Sequence, residues 1–229
     1  MDTLAKIPLF ADLDEKAHVS LAQRCSWRTY EANELVIDFE EETRDVRFIV
    51  SGWVRIIVRL ATGKEMILAE MRDGEFFGEI AAIDNSGRSA NVTALSRSQM
   101  CIMPQSAFME ALETQPSVNR QVLGILASRV RSLNGRLAEH SFLQTKHRLY
   151  SELLRLSKPR LSHEGQRSIS PPPTQKELAS RIGTRREVVS REMANLKRAK
   201  VIDKTTGALV LCQVDKLNAM ISDGWSEAE

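Results

Sequence analysis

Cysteine is scarce in this chain, and the three thiols (Cys25, Cys101, Cys212) stand far apart in sequence with no metal-binding or redox spacing. An odd, scattered set excludes a disulfide framework, and three cysteines cannot supply the Cys₄ set of an iron–sulfur cluster within one chain. Histidine is equally sparse: His18, His140, His147 and His163 form no cluster. His140 reads as a packed or solvated side chain, so neither a metal nor a haem nor an iron–sulfur cluster is expected. No apolar run approaches the roughly 18 residues of a membrane span. The opening MDTLAKIPLF lacks the basic-then-apolar order of a secretion signal. No membrane is expected, and the cytoplasm is the expected compartment. No nucleophile–base pairing and no nucleotide-hydrolysing glycine loop is visible either, so catalysis is not expected.

What remains is an ordinary globular composition: 229 residues, 42% hydrophobic and 27% charged. That suffices for one large or two small domains with a real core, and it excludes a disordered chain. The net charge of +2 hides an asymmetry. Residues 140–229 carry 16 Lys+Arg against 10 Asp+Glu, and residues 1–139 carry 16 against 20. An acidic first part joined to a basic second part suggests that only the second meets a polyanion, although a solvated basic surface gives the same sum.

Residues 1–26 read as short helical material around Leu4, Ile7, Leu9 and Leu13. Short β-rich runs follow from Trp27 to about Met103: WRTY, ELVIDF, VRFIVSG, WVRIIVRL, MILAEM, SANVTAL and QMCIM. Turn formers separate them, at Ser51-Gly52, Thr62-Gly63-Lys64 and Arg72-Asp73-Gly74. Many short strands without intervening helices predict an antiparallel roll rather than a parallel sheet.

After Pro104 the period changes. Pro116-Ser117 opens a long helical pattern to about Glu139, with Ser117 as the expected N-cap. Within it Leu123, Leu126, Val130, Leu133 and Leu137 recur at spacings of 3, 4, 3 and 4. That is a coiled-coil seam over two heptads. The seam can pair with a second copy or pack on the chain's own β-domain; Arg129, Arg131 and Arg136, which leave the rest of the helix polar, favour the dimer. A helix at about 142–157 follows, then KPRLSHEGQRSISPPP, a loop or boundary strand. No internal repeat is present.

From Thr174 the chain runs TQKELASRIGTRREVVSREMANLKRAKVIDK. Thr174 with Glu177 three positions on is a capping box. Leu178, Ala179 and Ile182 give a first helix its apolar face, and Gly183 suits a tight turn. A second helix, about 185–198, buries Val188, Val189, Met193 and Leu196. Its other face carries Arg185, Arg186, Glu187, Ser190, Arg191, Lys197 and Arg198. In a helix-turn-helix the second helix enters the major groove of DNA, where arginine reads guanine and glutamate reads cytosine. Arg186, Glu187 and Arg191 fit those roles, and Lys197, Arg198, Lys200 and Lys204 suit phosphates. Nine basic against four acidic side chains over residues 174–204 agree. A helical hairpin with a solvated basic face is the plainer alternative.

The most informative stretch of the first part is GEFFGEIAAIDNSGRSANVTAL. Gly78 permits close backbone approach, and the IAAI segment (Ile80, Ala81 and their neighbours) offers amides to an anion. Glu79 accepts only, which suits a sugar hydroxyl; Arg88 offers a two-pronged donor to phosphate, and Ser89 adds a hydroxyl. Composition alone also allows Glu79 and Arg88 to pair with each other on a surface turn.

These motifs together resemble the cyclic-AMP receptor protein/FNR family of transcription regulators. FGEIAAIDNSGRSA resembles the phosphate-binding cassette of cyclic-nucleotide-binding domains, FIVSGWVRI the strand pair upstream, and TRREVVSREMANLKR the recognition helix. The likeness covers nearly the whole chain. It implies an α+β fold: a jelly-roll-like β-roll at 1–115, a dimerisation helix at 116–140, and a winged helix-turn-helix at 141–229. It further implies that cyclic AMP or cyclic GMP is the allosteric effector, with the 2′-hydroxyl on Glu79 and the phosphate on Arg88 and Ser89. Gly78, Ile80 and Ala81 would line the pocket with backbone. A homodimer through the 117–139 helix would then bind a palindromic TGTGA-like site in double-stranded DNA, reading it with Arg186, Glu187 and Arg191, and RNA polymerase would be a further partner.

Three positions depart from the family pattern. Where the family places glycines in the early turns this chain has Tyr30-Glu31-Ala32-Asn33 and Glu40-Glu41-Glu42. Asn33 suits a left-handed turn, whereas Glu41 is expected to reshape its loop. Leu133-Asn134 replaces an adenine-contacting Thr-Ser pair, so only Asn134 can bond a base edge. Ser89 tolerates either purine. The alternative function is a regulator of the same fold that is nucleotide-independent or senses another small effector or redox state.

Overall fold

The computed structural model describes residues 4–59, 63–160 and 163–227. Thr62 of the expected turn, Leu60 at the end of WVRIIVRL, Leu161 and Ser162 of the expected linker, and the first three residues lie outside the described residues. The chain divides into two compact units, residues 1–130 and 131–229.

The first unit begins with two 3₁₀ turns (Leu4–Lys6 and Pro8–Phe10) and helix α1 (Glu15–Ala22), capped by the Asp14 side chain, which accepts from the Ala17 N–H at 2.7 Å. Eight strands follow: β1 (Ser26–Tyr30), β2 (Leu35–Ile37), β3 (Val46–Ser51), β4 (Trp53–Arg59), β5 (Glu65–Arg72), β6 (Phe76–Phe77), β7 (Asn91–Ala94) and β8 (Ser98–Met103). They form two antiparallel four-stranded sheets, ordered β1-β8-β3-β6 and β2-β7-β4-β5. This is the roll predicted from the short β-rich runs.

Period-2 alternation divides its interior. In β6, Phe76 joins one core cluster with Phe48, Phe10 and Phe108, whereas its neighbour Phe77 joins another with Tyr30, Ile49, Val54 and Met100. The Phe48 ring lies at the centre of the first cluster, with ring centroids 5.0 Å from Phe10 and 5.5 Å from Phe76. Strand pairing also brings two of the scattered thiols together: a hydrogen bond from Cys101 holds the Cys25 thiol below its ordinary range.

Helix α2 (Glu79–Asp84) interrupts the strands, and α3 (Gln105–Thr114) and α4 (Pro116–Phe142) follow them. Helix α3 lay unread in the sequence. Ser117 is not an N-cap: Pro116 is itself the first helical residue, a position where its fixed φ fits and its missing N–H costs nothing, so Ser117 lies inside the helix. Helix α4 also runs three residues past the expected end. At 27 residues it is about 40 Å long. Within the first unit its Val118 and Val122 are fully buried in the roll's core, with Ile125 and Leu126 packed against it. Leu123, Val130, Leu133 and Leu137 stand 56–67% exposed. The helix therefore packs one stripe on its own roll while most of the predicted seam stays uncovered.

The second unit holds the rest of α4, then α5 (Thr145–Leu156), β9 (Lys158–Pro159), β10 (Arg167–Ile169), α6 (Gln175–Ile182), α7 (Arg186–Arg198), β11 (Ile202–Thr205), β12 (Ala208–Leu211) and α8 (Val214–Ser226). The strands form one antiparallel sheet, β11-β12-β10-β9, whose β11–β12 hairpin is the wing. The capping box is present: Thr174 Oγ1 accepts from the Glu177 N–H at 3.2 Å, and the Thr174 N–H donates to Glu177 Oε2 at 2.7 Å. Gly183 closes α6 at φ +65, a left-handed value that turns the chain into α7. Leu178, Ala179, Ile182, Val189 and Leu196 are buried with Leu149, Leu153 and Leu211, whereas Val188 and Met193 are only half-buried. The fold is thus α+β, a roll and a long helix followed by a winged helix-turn-helix.

Candidate functional site

Strand pairing positions the first candidate site. Strands β3 and β6 pair antiparallel with Arg47 opposite Phe77 and Phe48 opposite Phe76, so the chain leaving β6 at Gly78 passes beside Asp45 at the start of β3. Gly78 has φ +89, and a Cβ there would stand 2.6 Å from Arg88 Nη1 and 2.8 Å from the Asp45 carbonyl oxygen. Only glycine combines that backbone angle with that approach. Glu79 then opens α2. The Ala82 N–H within the IAAI segment is already used, donating to the Gly78 carbonyl.

Glu79 and Arg88 are 3% and 4% exposed and do not pair with each other, contrary to the surface-turn alternative. Glu79 Oε1 accepts from Arg129 Nη1 at 2.6 Å, and Arg129 Nη2 donates to the Phe76 carbonyl at 2.8 Å. Arg88 Nε donates to Thr43 Oγ1 at 3.1 Å, Nη1 to the Gly78 carbonyl at 3.3 Å, and Nη2 to the Asp45 carbonyl at 2.9 Å. Nη2 also lies 3.1 Å from Asp45 Oδ1. Burial pulls the Arg88 guanidinium below its ordinary value, with the Asp45 carboxylate opposing that shift.

A backbone pair ties the cassette loop to the acidic loop: the Glu40 N–H donates to the Arg88 carbonyl and the Arg88 N–H to the Glu41 carbonyl, each at 3.2 Å. In the acidic loop the left-handed residue is Glu40, at φ +65, next to the Glu41 expected to reshape the loop. Asn33 does adopt the left-handed conformation, at φ +69. An open pocket of about 460 Å³ lies at this junction, lined by Glu40, Glu42, Arg44, Ser86, Gly87 and Arg88.

The predicted residues are therefore only partly brought together. Gly78, Glu79 and Arg88 converge; Ala81 is buried in α2; Ile80 and Ser89 are exposed. Asn134 is exposed on α4 and belongs to the second unit. Two residues that sequence reasoning did not assign, Arg129 and Asp45, hold the two buried ionisable groups. Arg129 was legible in principle, because Val118, Val122, Leu126 and Arg129 follow one another at helical spacing along the stripe facing the roll. Nothing in the sequence singles out Asp45 among its acidic neighbours.

The second candidate site is the outer face of α7. Arg185 stands at the N-cap position without a side-chain capping bond, and Arg185, Arg186, Glu187, Arg191 and Lys197 are exposed, with Ser190 half-buried. The side chains of these six residues make no hydrogen bond or ion pair with the other described residues. Unpaired donors along one helix face are available to an external polyanion. Among the described residues, no group of three or more His, Cys, Asp or Glu could hold a metal ion, and no helix is long and apolar enough to cross a membrane.

Comparison with known proteins identifies the two domains that carry these residues. The cyclic nucleotide-binding domain profile matches residues 27–115, and the Crp-like helix-turn-helix domain profile matches residues 147–220. The CRP-like cAMP-activated global transcriptional regulator of Mycobacterium tuberculosis (strain CDC 1551 / Oshkosh) is 26% identical over 195 residues, covering 85% of this chain and 87% of the relative. Among solved structures, a CooA mutant from Carboxydothermus hydrogenoformans superposes with a TM-score of 0.79 at 17% identity, covering 94% of this chain and 95% of that one. The c-di-GMP responsive global regulator CLP of Xanthomonas campestris superposes with a TM-score of 0.71 at 21% identity, covering 86% and 99%. At these identities the structural neighbours establish the fold.

Proposed function

The chain belongs to the CRP/FNR family of transcription regulators, not enzymes, and from that premise we propose that a cyclic nucleotide bound by its β-roll controls binding of its helix-turn-helix to DNA. The observation that carries this reading is the pair of buried, oppositely charged groups, Glu79 and Arg88, flanking a glycine whose left-handed backbone no other residue would fit. An isolated buried charge is costly, so such groups are retained where a polar ligand or a partner answers them.

Glu79 would accept the ribose 2′-hydroxyl on Oε2 while Oε1 keeps Arg129. Arg88 and Ser89 would hold the cyclic phosphate, and the backbone of Gly78, Ile80 and Ala81 would line the pocket. Asn134 is proposed as the base-edge partner on the family resemblance alone. Cyclic AMP and cyclic GMP are both candidates, since no described side chain of the cassette discriminates the purines. The proposed division is roll 1–115, dimerisation helix 116–140 and DNA-binding domain 141–229. A homodimer through the uncovered seam of α4 would present two α7 helices to a palindromic TGTGA-like site. Arg186, Glu187 and Arg191 would read bases there, Lys197 with Arg198, Lys200 and Lys204 would meet phosphates, and Arg185 and Ser190 lie on the same DNA-facing side. RNA polymerase is the proposed further partner, in the cytoplasm.

One observation favours a nucleotide-independent regulator of the same fold: Arg88 already has a carboxylate partner in Asp45. Calorimetric titration with cyclic AMP and, separately, cyclic GMP decides between the two. Binding of either that Arg88→Ala abolishes, in a protein that stays folded, supports the proposal. No heat from folded wild-type protein with either nucleotide would refute it.

A further inference from the structure

We propose that Asp45 is a built-in competitor for the anion site, a carboxylate that occupies Arg88 until a phosphate displaces it, and that it thereby sets the affinity of the site. The inference rests on the cyclic-nucleotide reading above and names the residue that limits it.

A guanidinium has five N–H donors. On Arg88, Nε–H goes to Thr43, one Nη1–H to the Gly78 carbonyl, and Nη2 faces both the carbonyl and the carboxylate of Asp45. One Nη1–H is left without a partner among the described residues, and the second Nη2–H has only the ion-pair contact with the Asp45 carboxylate, since the Nη2 hydrogen bond goes to the Asp45 carbonyl. A two-pronged grip on a phosphate needs two parallel donors. The Asp45 carboxylate, 3.1 Å from Nη2, competes with a phosphate for that second prong.

Asp45 has somewhere to go. Its Oδ2 already accepts from Arg47 Nε at 2.8 Å, while Oδ1 faces Arg88. Arg47, 7% exposed, is itself fixed by hydrogen bonds to the Val36 carbonyl and the Tyr30 hydroxyl. Releasing Arg88 thus leaves Asp45 still paired, so the exchange strands no buried charge. The surroundings act in the same direction. Glu40 and Glu42 line the adjoining pocket against Arg44, so an incoming anion meets carboxylates there as well as guanidinium groups. Removing one negative charge beside Arg88 should strengthen anion binding, whereas a carboxylate that served only to aim the fork would, once removed, weaken it. The two roles differ in sign.

The test is titration of Asp45→Asn and Asp45→Ser with cyclic AMP and cyclic GMP beside the wild type, each variant first checked by circular dichroism and melting. Asn keeps the shape, and Ser supplies a second neutral side chain should Asn misplace Arg47. Asp45→Glu, which keeps the charge, serves as the control. The expected result is about tenfold tighter binding by a folded neutral variant than by the wild type, with no such gain in Asp45→Glu. Equal or weaker binding by the folded neutral variants, beside a wild type that binds, overturns the competitor role and leaves the cyclic-nucleotide reading standing. No binding by the folded wild type overturns the cyclic-nucleotide reading itself, and the competitor role with it.

Discussion

Leu133→Ala removes a side chain that stands 56% exposed near the middle of α4. Full burial of a leucine contributes roughly 1.5–3 kcal/mol, so about half of that is still to be gained when a partner covers it, or about 1 kcal/mol per chain. In a two-fold dimer the same position counts twice, and the loss becomes about 2 kcal/mol, a dimer about 30-fold weaker. Leu123, Val130 and Leu137, with 62%, 56% and 67% of their surface still open, would remain to hold a weakened dimer. Alanine is the better helix former, so α4 itself should survive. Sedimentation equilibrium over a dilution series, with far-ultraviolet circular dichroism on the same samples, gives the dissociation constant and the helix content together. The reasoning is refuted if the wild type is monomeric throughout, or if the variant dimerises with an unchanged constant.

Three further outcomes are expected. Arg186→Ala should cost about 1–3 kcal/mol on the preferred site and relax specificity at one base position; a loss equal on every DNA sequence would make Arg186 a phosphate contact instead. Glu152, 1% exposed, is the carboxylate on which Arg136, Arg155 and Arg181 converge. Glu152→Gln should destabilise the second unit by about 3–5 kcal/mol in urea unfolding, and a change below 1 kcal/mol would show that the arginines find other partners. His147 is 3% exposed, packed against Gly224 and edge-on to Tyr150, and burial lowers its pKa below the ordinary 6.5. A lowered pKa means that the unfolded chain takes up the proton more readily. The stability His147 contributes should therefore be complete above pH 6.5 and decline as the pH falls through its folded value. Melting of the second unit at pH 7.5 and 5.5 should show this fall, and His147→Gln should lessen it; an unchanged pH dependence would assign the effect to other groups.

Much of the fold was legible because its signals are local. Strand runs between turn formers, the Thr174–Glu177 box and the apolar spacing of α6 are all written within a few residues of where they act. The elements missed were those whose definition is tertiary. Strand β6 is two phenylalanines long, and only its pairing with β3 makes it a strand. Helix α3 is short, and proline stands just before and just after it. Ser117 suits an N-cap by residue type, but the helix starts on the residue before it, Pro116. The same division runs through the candidate site. Gly78, Glu79 and Arg88 lie in one contiguous motif and could be read from it. Asp45 and Arg129 reach that motif only through the β3–β6 register and the inner stripe of α4, so the identity of the groups answering Glu79 and Arg88 required coordinates. The exposed face of α7 lay between these extremes. Its residue types were evident, but that the side chains are unpaired is a property of the folded chain.

The proposed regulation requires that nucleotide binding at the roll and DNA binding at α7 be linked. Fluorescence anisotropy with a labelled duplex carrying a TGTGA-like palindrome, measured with and without saturating cyclic AMP or cyclic GMP, tests it. The expected result is tighter DNA binding with one of the nucleotides, and, by linkage, nucleotide binding tightened by the same factor when DNA is present. Identical DNA affinity with and without either nucleotide, in protein that binds the nucleotide, would contradict the claim.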